Sequence, residues 1–452
     1  GITFTTNLAD MMQLNYDEKV NEVQRLIDQW SKRKITPIGK ITVVKTIMLS
    51  RFVHLFTCLP SPNKQLLKKI ESMMFGFIWG GKRDRVARNV FVQDYKDGGL
   101  KMGHIDSFIK SLKISWLRRW HQTNAPWTHM FNSTIIGSMH DLLFFGPPYI
   151  DKQLASIDNS FWRDVLLAFR SYKELPLKDD NIAGNHQYDP LWYNEKVKIR
   201  GKVICYKSWI ERGIWYVRQM FSAEGLLMSY EEFANAYFET PFTVFLGIRR
   251  AVLNSYTARM GENLVLPHYP GHVSAMLRTK QSSNKVYELF LGSLNLQEKY
   301  KAKWNRDLAQ EFSQGEWEII NGEIKLFNPK QKWMQYRIIH RIISTNEFLF
   351  KIGVEDSKSC TFCGEEDETL VHLFGGCREV RLFIGEVTNW ARDLQVLNRS
   401  SEPSMSEIVL GGTRNTNFAK MMMHMKYFIY TCRMNNKALS FLSFIETMKS
   451  EL

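Results

Sequence analysis

The sequence lacks the signals of a secreted or membrane-spanning protein. No uninterrupted apolar run approaches about 18 residues, so we expect no membrane span and no membrane partner. The opening residues, "GITFTTNLADMM", contain no charged stretch followed by an apolar one, which predicts no secretory signal. Only six cysteines occur in 452 residues, and three of them crowd beside a histidine. This distribution predicts a reducing, intracellular compartment and a metal site rather than disulfides.

Recognisable catalytic motifs are also missing. The sequence has no glycine-rich phosphate loop, no nucleophile elbow and no spaced Ser/His/Asp set. Polymerases need paired carboxylates to hold two metal ions. The dense acidic spots here are Lys178–Asp180, in a loop rich in proline and glycine, and Gly364–Glu368, among the clustered cysteines. We therefore predict that the chain has no catalytic residues of its own. An enzyme with an unrecognised site is the alternative.

What the sequence does contain is apolar, aromatic and basic residues. Its hydrophobic content of 44% and aromatic content of 13% indicate a globular protein with a large core. The 60 Lys and Arg exceed the 46 Asp and Glu, so the net charge is +14. Residues 1–120 hold 21 of these basic and 10 of these acidic residues, a net of +11. This surplus suits a polyanionic partner, with nucleic acid favoured over an anionic membrane.

Apolar periodicity predicts a mainly helical chain. The segment 16–34, "YDEKVNEVQRLIDQWSKRK", has an amphipathic helical pattern. Thr36 is the predicted N-cap of the next helix, with Pro37 at its first position. The core-facing stripe of that helix is Ile41, Val44, Met48, Phe52 and Leu55. After a third helix, the segment 89–105, "NVFVQDYKDGGLKMGHI", alternates around a turn as extended segments do. We expect a helical bundle followed by a mostly helical, loop-rich region.

Basic side chains form several clusters that suit phosphate contacts. The candidates in the first 120 residues are Lys32, Arg33, Lys34, Lys40, Arg51, Lys82, Arg83, Arg85, Arg88, Arg118 and Arg119. A second patch, Arg337 and Arg341, has Trp333 and Tyr336 nearby, and such aromatic rings stack on unpaired bases. Charge runs on helices are usually solvated faces, and the two aromatic residues fit a core position equally well. Both alternatives stay open at the level of sequence.

The clustered cysteines have metal-ligand spacing. "CTFCGEEDETLVHLFGGC" supplies Cys360, Cys363, His372 and Cys377. Three thiolates and one imidazole suit Zn²⁺ in a saturated, structural site with no open position for catalysis. The alternative is a chance cluster of three buried thiols and a core histidine. We predict structural zinc, with the local order of this short segment dependent on the metal.

Four segments, in this order, resemble the polyproteins of LINE-type non-LTR retrotransposons. They are "WSKRKITPIGKITVVKTIMLSRFVHLF", "FGFIWGGKRDRVARN", "DGGLKMGHIDSFIKSLKISWLRRW" and "CTFCGEEDETLVHLFGGC". The likeness is to the region after the reverse transcriptase palm and is strongest over residues 1–120 and 320–380. It implies a thumb-like basic helical bundle at 1–120, a mostly helical linker region at 121–320, and a C-terminal region at 321–452 with a zinc knuckle at 360–377 and terminal helices.

In that family the parent protein is an endonuclease and reverse transcriptase that copies its RNA onto nicked target DNA. The resemblance implies that the nuclease and polymerase domains precede this segment, and that Mg²⁺ belongs to that polymerase core alone. It implies a chain that holds the 3′ region of the element RNA, target DNA or an RNA–DNA duplex, in a ribonucleoprotein of nucleus and cytoplasm. The alternative function is a zinc-braced scaffold that docks on the polymerase core or on an acidic partner.

Overall fold

The chain is mainly α-helical. The structure is a computed structural model that describes residues 1–175, 188–256, 266–278, 282–296, 298–398 and 402–451. Within these ranges the paired strands are β1 (Lys198–Ile199) and β2 (Lys202–Val203), a two-stranded antiparallel ladder. The predicted fold class, mainly α with a compact Cys3His unit, is confirmed.

Ten α-helices lie before residue 176. They are α1 (Leu8–Ser31), α2 (Pro37–Val43), α3 (Val53–Cys58), α4 (Lys64–Trp79), α5 (Arg88–Phe91), α6 (Ile105–Gln122), α7 (Pro126–Thr134), α8 (Met139–Phe144), α9 (Pro147–Leu154) and α10 (Ser160–Lys173). A π-helical segment (Val44–Met48) and a 3₁₀ segment (Leu49–Phe52) join α2 to α3, and a 3₁₀ turn (Tyr95–Asp97) follows α5.

The rest of the described chain is also built from helices. They are α11 (Lys207–Glu211), α12 (Tyr230–Ala236), α13 (Phe242–Leu253), α14 (Gly271–Arg278), α15 (Ser282–Gly292), α16 (Lys299–Asp307), α17 (Gln314–Gly322), α18 (Pro329–Ile339), α19 (Asn346–Lys351), α20 (Arg378–Asp393), α21 (Met405–Leu410), α22 (Thr416–Met434) and α23 (Phe441–Glu451). Short 3₁₀ segments cover Val217–Met220 and Glu323–Leu326, and a π-helical turn covers His372–Gly376.

The chain divides into two compact units, each made of three stretches. The first unit comprises Gly1–Lys19, Phe52–Leu67 and His104–Leu294. The second comprises Val20–Arg51, Lys68–Gly103 and Asn295–Leu452. This grouping follows spatial contacts, whereas the boundaries predicted at 120 and 320 follow similarity along the sequence, and those boundaries stay predictions.

Each unit has its own apolar interior. In the first unit the buried side chains include Trp192 and Trp209, whose rings meet edge to face at 5.9 Å between centroids. In the second unit Phe91 packs between Phe75 and Tyr336, at centroid distances of 5.8 and 5.9 Å. Aromatic pairs in these geometries add stabilisation beyond the area that they bury.

The helix predicted after Thr36 forms as the sequence indicates. The Thr36 side chain accepts a hydrogen bond from the Gly39 N–H, and Pro37 occupies the first helical position. The five predicted core positions are all buried: Ile41, Val44, Met48, Phe52 and Leu55. A helix that presents one apolar stripe to a core is stabilised mainly by that burial.

The stretch Pro37–Cys58 qualifies as a candidate membrane span by length and composition. It has 22 residues and a mean hydropathy of 1.4, although basic residues interrupt it. Ile41, Val44 and Met48 are nevertheless buried inside the protein, and a core helix of a soluble protein passes the same test. The expectation that no segment is apolar enough was too strict, because it counted uninterrupted runs. The absence of a membrane partner stays a prediction.

The prediction of extended segments over residues 89–105 is wrong. The chain there forms α5 and a 3₁₀ turn, and Gly98 adopts a left-handed conformation with φ of 78°. The Leu100 N–H donates to the Phe91 carbonyl at 2.9 Å, and the Lys101 N–H donates to the Gln93 carbonyl at 2.8 Å. A β-carbon at Gly99 would overlap the Gln93 carbonyl oxygen. The alternating pattern therefore reflects a tight loop with close backbone contacts rather than strands.

Candidate metal centre and basic residues

The first half of the cysteine cluster is a tight turn. The Gly364 N–H donates to the Cys360 carbonyl at 2.9 Å, and the Cys360 N–H donates to the Glu366 carbonyl at 2.8 Å. Gly364 has φ of 71°, a conformation that glycine adopts without steric cost. These bonds bring Cys360 and Cys363 to the same side of the turn.

The second half is held by a π-helical turn and the start of α20. His372 begins the π-helical turn, and the Cys377 N–H donates to the His372 carbonyl at 2.8 Å. Cys377 is also the residue that precedes α20. Because His372 is buried in the π-helical turn and Cys377 is buried at the start of α20, their ligand atoms have fixed positions opposite the turn that carries Cys360 and Cys363.

The four predicted ligands converge. One ligand atom from each of Cys360, Cys363, His372 and Cys377 lies within 4.8 Å of the others. The Cys360 and Cys377 sulfurs are 3.9 Å apart, and the Cys363 sulfur is 3.4 Å from His372 Nε2. Tetrahedral Zn²⁺ with Zn–S bonds of about 2.3 Å places two thiolates about 3.8 Å apart. The donor set and its spacing therefore fit one zinc ion in a closed, structural site.

The structure also distinguishes the two imidazole nitrogens of His372. Nε2 points at the Cys363 sulfur, whereas Nδ1 lies 3.2 Å from a carboxylate oxygen of Glu366. A carboxylate that accepts from the far nitrogen fixes the tautomer and strengthens the other nitrogen as a ligand. Sequence could not distinguish these nitrogens, but the glutamates of "GEEDE" were a signal for such a partner.

The thiols have different environments. Burial raises the pKa of Cys360. Burial also acts to raise the pKa of Cys363, but hydrogen bonds from the backbone N–H groups of Glu366 and Glu365 and from the His372 and Cys377 side chains together lower it, so the net shift is downward. A cysteine binds zinc as its thiolate and not as its thiol. Zinc must therefore displace the proton from each of these two sulfurs.

A buried ion pair supports the metal centre, and sequence reasoning missed it. The Glu368 side chain is fully buried, and Arg433 of α22 donates to its Oε1 at 2.6 Å. The Asn346 N–H donates to Oε1 at 3.0 Å, and the N–H and hydroxyl of Thr361 donate to Oε2 at 3.1 and 2.8 Å. Although burial opposes it, the bonds from Arg433 and Thr361 hold the pKa of Glu368 below its usual range. Glu368 is therefore a structural carboxylate rather than a catalytic one.

Five of the predicted phosphate-binding cations are exposed in the second unit. They are Lys32, Arg33, Lys34, Lys82 and Arg83. None of these five forms an ion pair with a residue that the structure describes. The Arg33 guanidinium lies 4.4 Å from the centre of the Trp30 ring, which restrains it at the end of α1. Arg85 is exposed too, and its guanidinium donates weakly to the Ile342 carbonyl at 3.4 Å.

Lys40 connects the two exposed clusters. Its ammonium donates to the Phe77 carbonyl at 2.8 Å, at the last turn of α4. α2, the helix that follows Lys32–Lys34, is thereby bound to the end of α4, which precedes Lys82 and Arg83. The bond to Phe77 makes this side chain a structural contact, and burial lowers the pKa of Lys40. Its phosphate contact stays a prediction.

Other predicted cations are neutralised by acids. Arg51 pairs with Glu22 at 2.7 Å. Arg88 pairs with Asp84 at 2.7 Å and with Glu71 at 3.3 Å. These side chains are at most half exposed, and a phosphate would have to compete with the carboxylates that already bind them.

The remaining predicted cations are partly buried, rest on an aromatic ring or have polar partners of their own. In the first unit Arg118 is partly buried, and the Arg119 guanidinium lies 4.8 Å from the centre of the Trp116 ring. In the second unit Arg337 donates to the Tyr430 hydroxyl at 3.1 Å, and Arg341 pairs with Asp307 at 2.5 Å.

The two aromatic residues near Arg337 and Arg341 belong to a packed aromatic cluster. Tyr336 is fully buried, and Trp333 contacts Trp79 at 5.8 Å between centroids. For Tyr336 the core alternative is correct, because no face of its ring is open to a base. The acidic segment 178–180 lies outside the described residues.

The zinc-binding segment has a known counterpart. Residues 324–383 match the protein family described as zinc-binding in reverse transcriptase. The matched range contains all four converging ligands and begins at the 3₁₀ segment before α18. This chain therefore carries the zinc-binding region of a reverse-transcriptase-associated protein.

Proposed function

We propose that the chain is the nucleic-acid-binding C-terminal part of a LINE-type reverse transcriptase. In this role it holds template RNA, the primer duplex or target DNA while the nicked target primes reverse transcription. Three observations support the proposal: the zinc-binding region, the order of the LINE-like segments, and a net charge of +14. Residues 1–120 would correspond to the thumb, and the polymerase and endonuclease domains of the same polyprotein would be its partners in the ribonucleoprotein.

The observation that carries the proposal is the bond from Lys40 to the Phe77 carbonyl. It joins α2, which follows Lys32–Lys34, to the end of α4, which precedes Lys82 and Arg83. These five exposed cations thus flank one fixed junction, which we call the basic edge. Their lack of acidic partners among the described residues leaves them available to phosphates. Zinc has a structural role in this proposal, and we assign no catalytic step to the chain.

Charge reversal at the basic edge tests the proposal. The variant Lys32→Glu, Arg33→Glu, Lys34→Glu should bind a labelled RNA–DNA duplex at least about tenfold more weakly at moderate salt. The slope of log affinity against log salt should fall by up to about 3, because each lost phosphate contact removes about one released counterion. Fluorescence anisotropy across a salt series measures both quantities.

A matched control separates local contacts from net charge. Lys198, Lys202 and Lys207 are exposed in the first unit, and changing all three to Glu alters the net charge by the same amount. Binding by this control should keep the wild-type slope. Equal slopes in wild type and the basic-edge variant would contradict the basic edge. Absence of any salt-sensitive binding by the wild type would contradict the function itself.

A further inference from the structure

An apolar patch is exposed on α19, immediately before the metal centre. Phe348, Ile352 and Val354 are 48%, 53% and 64% exposed. Phe348 and Ile352 are one helical turn apart and share a face. The Val354 N–H donates to the Leu349 carbonyl at 2.9 Å, so the chain turns back and brings Val354 to the end of the helix. Grouped apolar side chains of this kind mark interaction sites more often than single ones do.

The patch has a fixed backbone. Gly353 has φ of 71°, and its N–H donates to the Phe350 carbonyl at 3.0 Å. Together with the Val354 bond, this forms the Schellman motif that ends helices. At the other end of α19, the Asn346 N–H donates to the buried Glu368 carboxylate. Because both helix ends are bound, a partner would meet a preformed surface and little ordering would be required.

The charge around the patch is opposite to that of the whole chain. Glu347, Glu355 and Asp356 are exposed, and none of the three forms an ion pair with a described residue. Of the two lysines nearby, Lys358 lies 3.9 Å from Asp367 and over the Phe350 ring. Within residues 346–358, Lys351 is then the one lysine or arginine without a described acidic partner. This acidic rim would repel a phosphate backbone and attract Lys or Arg.

We infer that Phe348, Ile352 and Val354 bind a protein segment whose apolar side chains are flanked by Lys or Arg. A basic amphipathic helix is the simplest segment of this kind. Its apolar face would cover the patch, and its cations would meet Glu347, Glu355 and Asp356. This contact uses none of the residues of the basic edge and does not depend on nucleic-acid binding.

The test uses the full chain and a synthetic probe. The probe is a fluorescein-labelled amphipathic helix of leucine and lysine, and a second peptide carries Glu in place of each Lys. Wild type should bind the lysine peptide and not the glutamate peptide. The variant Phe348→Ser, Ile352→Ser should bind the lysine peptide at least about tenfold more weakly, as for loss of central apolar contacts. Reversing the rim with Glu355→Lys, Asp356→Lys should shift preference towards the glutamate peptide.

Control variants and side measurements make each outcome decisive. Leu382 and Leu442 are 65% and 74% exposed, so Leu382→Ser, Leu442→Ser removes similar apolar surface elsewhere. This control should bind the lysine peptide as wild type does, and every variant should keep its zinc content. Equal weakening by patch and control variants, or none by the patch variant, would overturn the inference. A wild-type dimer that the patch variant abolishes would also overturn the inference, because a second copy of the chain would then cover the patch. Loss of affinity for a single-stranded oligonucleotide in the patch variant would overturn it as well.

Discussion

Glu366 has a specific effect on the metal centre at the level of a single residue. Its carboxylate accepts from Nδ1 of His372 and leaves Nε2 for the metal. We predict that Glu366→Gln lowers zinc affinity by about 10- to 100-fold, the usual cost of losing such a carboxylate. Competition against a chromophoric chelator at fixed pH measures the affinity.

The neighbouring Glu365 provides the control for that change. Only its backbone N–H faces the Cys363 sulfur, so Glu365→Gln should leave zinc affinity unchanged. If both substitutions weaken zinc equally, the effect is one of local net charge and the orienting role of Glu366 is wrong.

The ligand set itself is tested by removing one sulfur. Cys360 is buried in the cluster, whereas Cys58 is exposed and distant in sequence. We predict that Cys360→Ser loses bound zinc and becomes sensitive to protease over residues 355–380, because the short segment depends on the metal for its order. Cys58→Ser should retain one zinc per chain by elemental analysis. A full zinc equivalent in Cys360→Ser would contradict the ligand set.

Sequence predicted the ligands of this site but not their support. Spacing alone identified Cys360, Cys363, His372 and Cys377. Arg433 lies 65 residues from Glu368, and no local pattern connects them. Asp84 and Arg88 are four residues apart, but Asp84 lies in the loop before α5, so helical spacing does not predict their pairing. The pairing of Arg51 with Glu22 depends on how separate segments pack, so sequence did not predict it either.

Among the elements, α22 is bound to the metal centre through one buried charge. We predict that Arg433→Met destabilises the second unit by about 3–5 kcal/mol, because it leaves Glu368 buried without its cation. Adding Glu368→Gln should restore part of that loss, since the remaining side chain is neutral. Hydrogen exchange at the Asn346 and Thr361 amides, which donate to Glu368, measures the change directly. Additive losses in the double variant would contradict the pairing.

Elements with a strong local signal were predictable, and those built from loop contacts were not. Thr36 and Pro37 identify a helix start from sequence because capping is a local interaction. The prediction for residues 89–105 was wrong because apolar and polar residues alternate both in strands and in compact turns. Its shape depends on the Gly99 backbone approaching Gln93, which periodicity does not report.

The stability of the whole molecule should respond to alkali through a buried lysine. Burial lowers the pKa of Lys426 to about 8, although Glu323 acts to raise it. Between pH 8 and the ordinary lysine range, the unfolded chain keeps a proton that the folded protein has lost, so stability rises with pH. Through Lys426, the free energy of unfolding should be about 1.4 kcal/mol higher at pH 9 than at pH 7.

Comparison of wild type with Lys426→Met isolates this contribution. The variant should be less stable at both pH values, because Gln335 and Val409 lose the donor that Lys426 supplies. The urea concentration at the midpoint of unfolding should rise between pH 7 and pH 9 in the wild type but not in the variant. The same increase in both proteins would assign the effect to other groups.

The hydrogen-bond donors around Glu368 determine how much of the chain the metal centre needs in order to fold. The segment that matches the family ends at residue 383, fifty residues short of Arg433. A peptide cut to that length would retain every metal ligand but would lack Arg433, the cation that pairs with the Glu368 carboxylate. We therefore expect a stable minimal form of the metal centre to extend through α22.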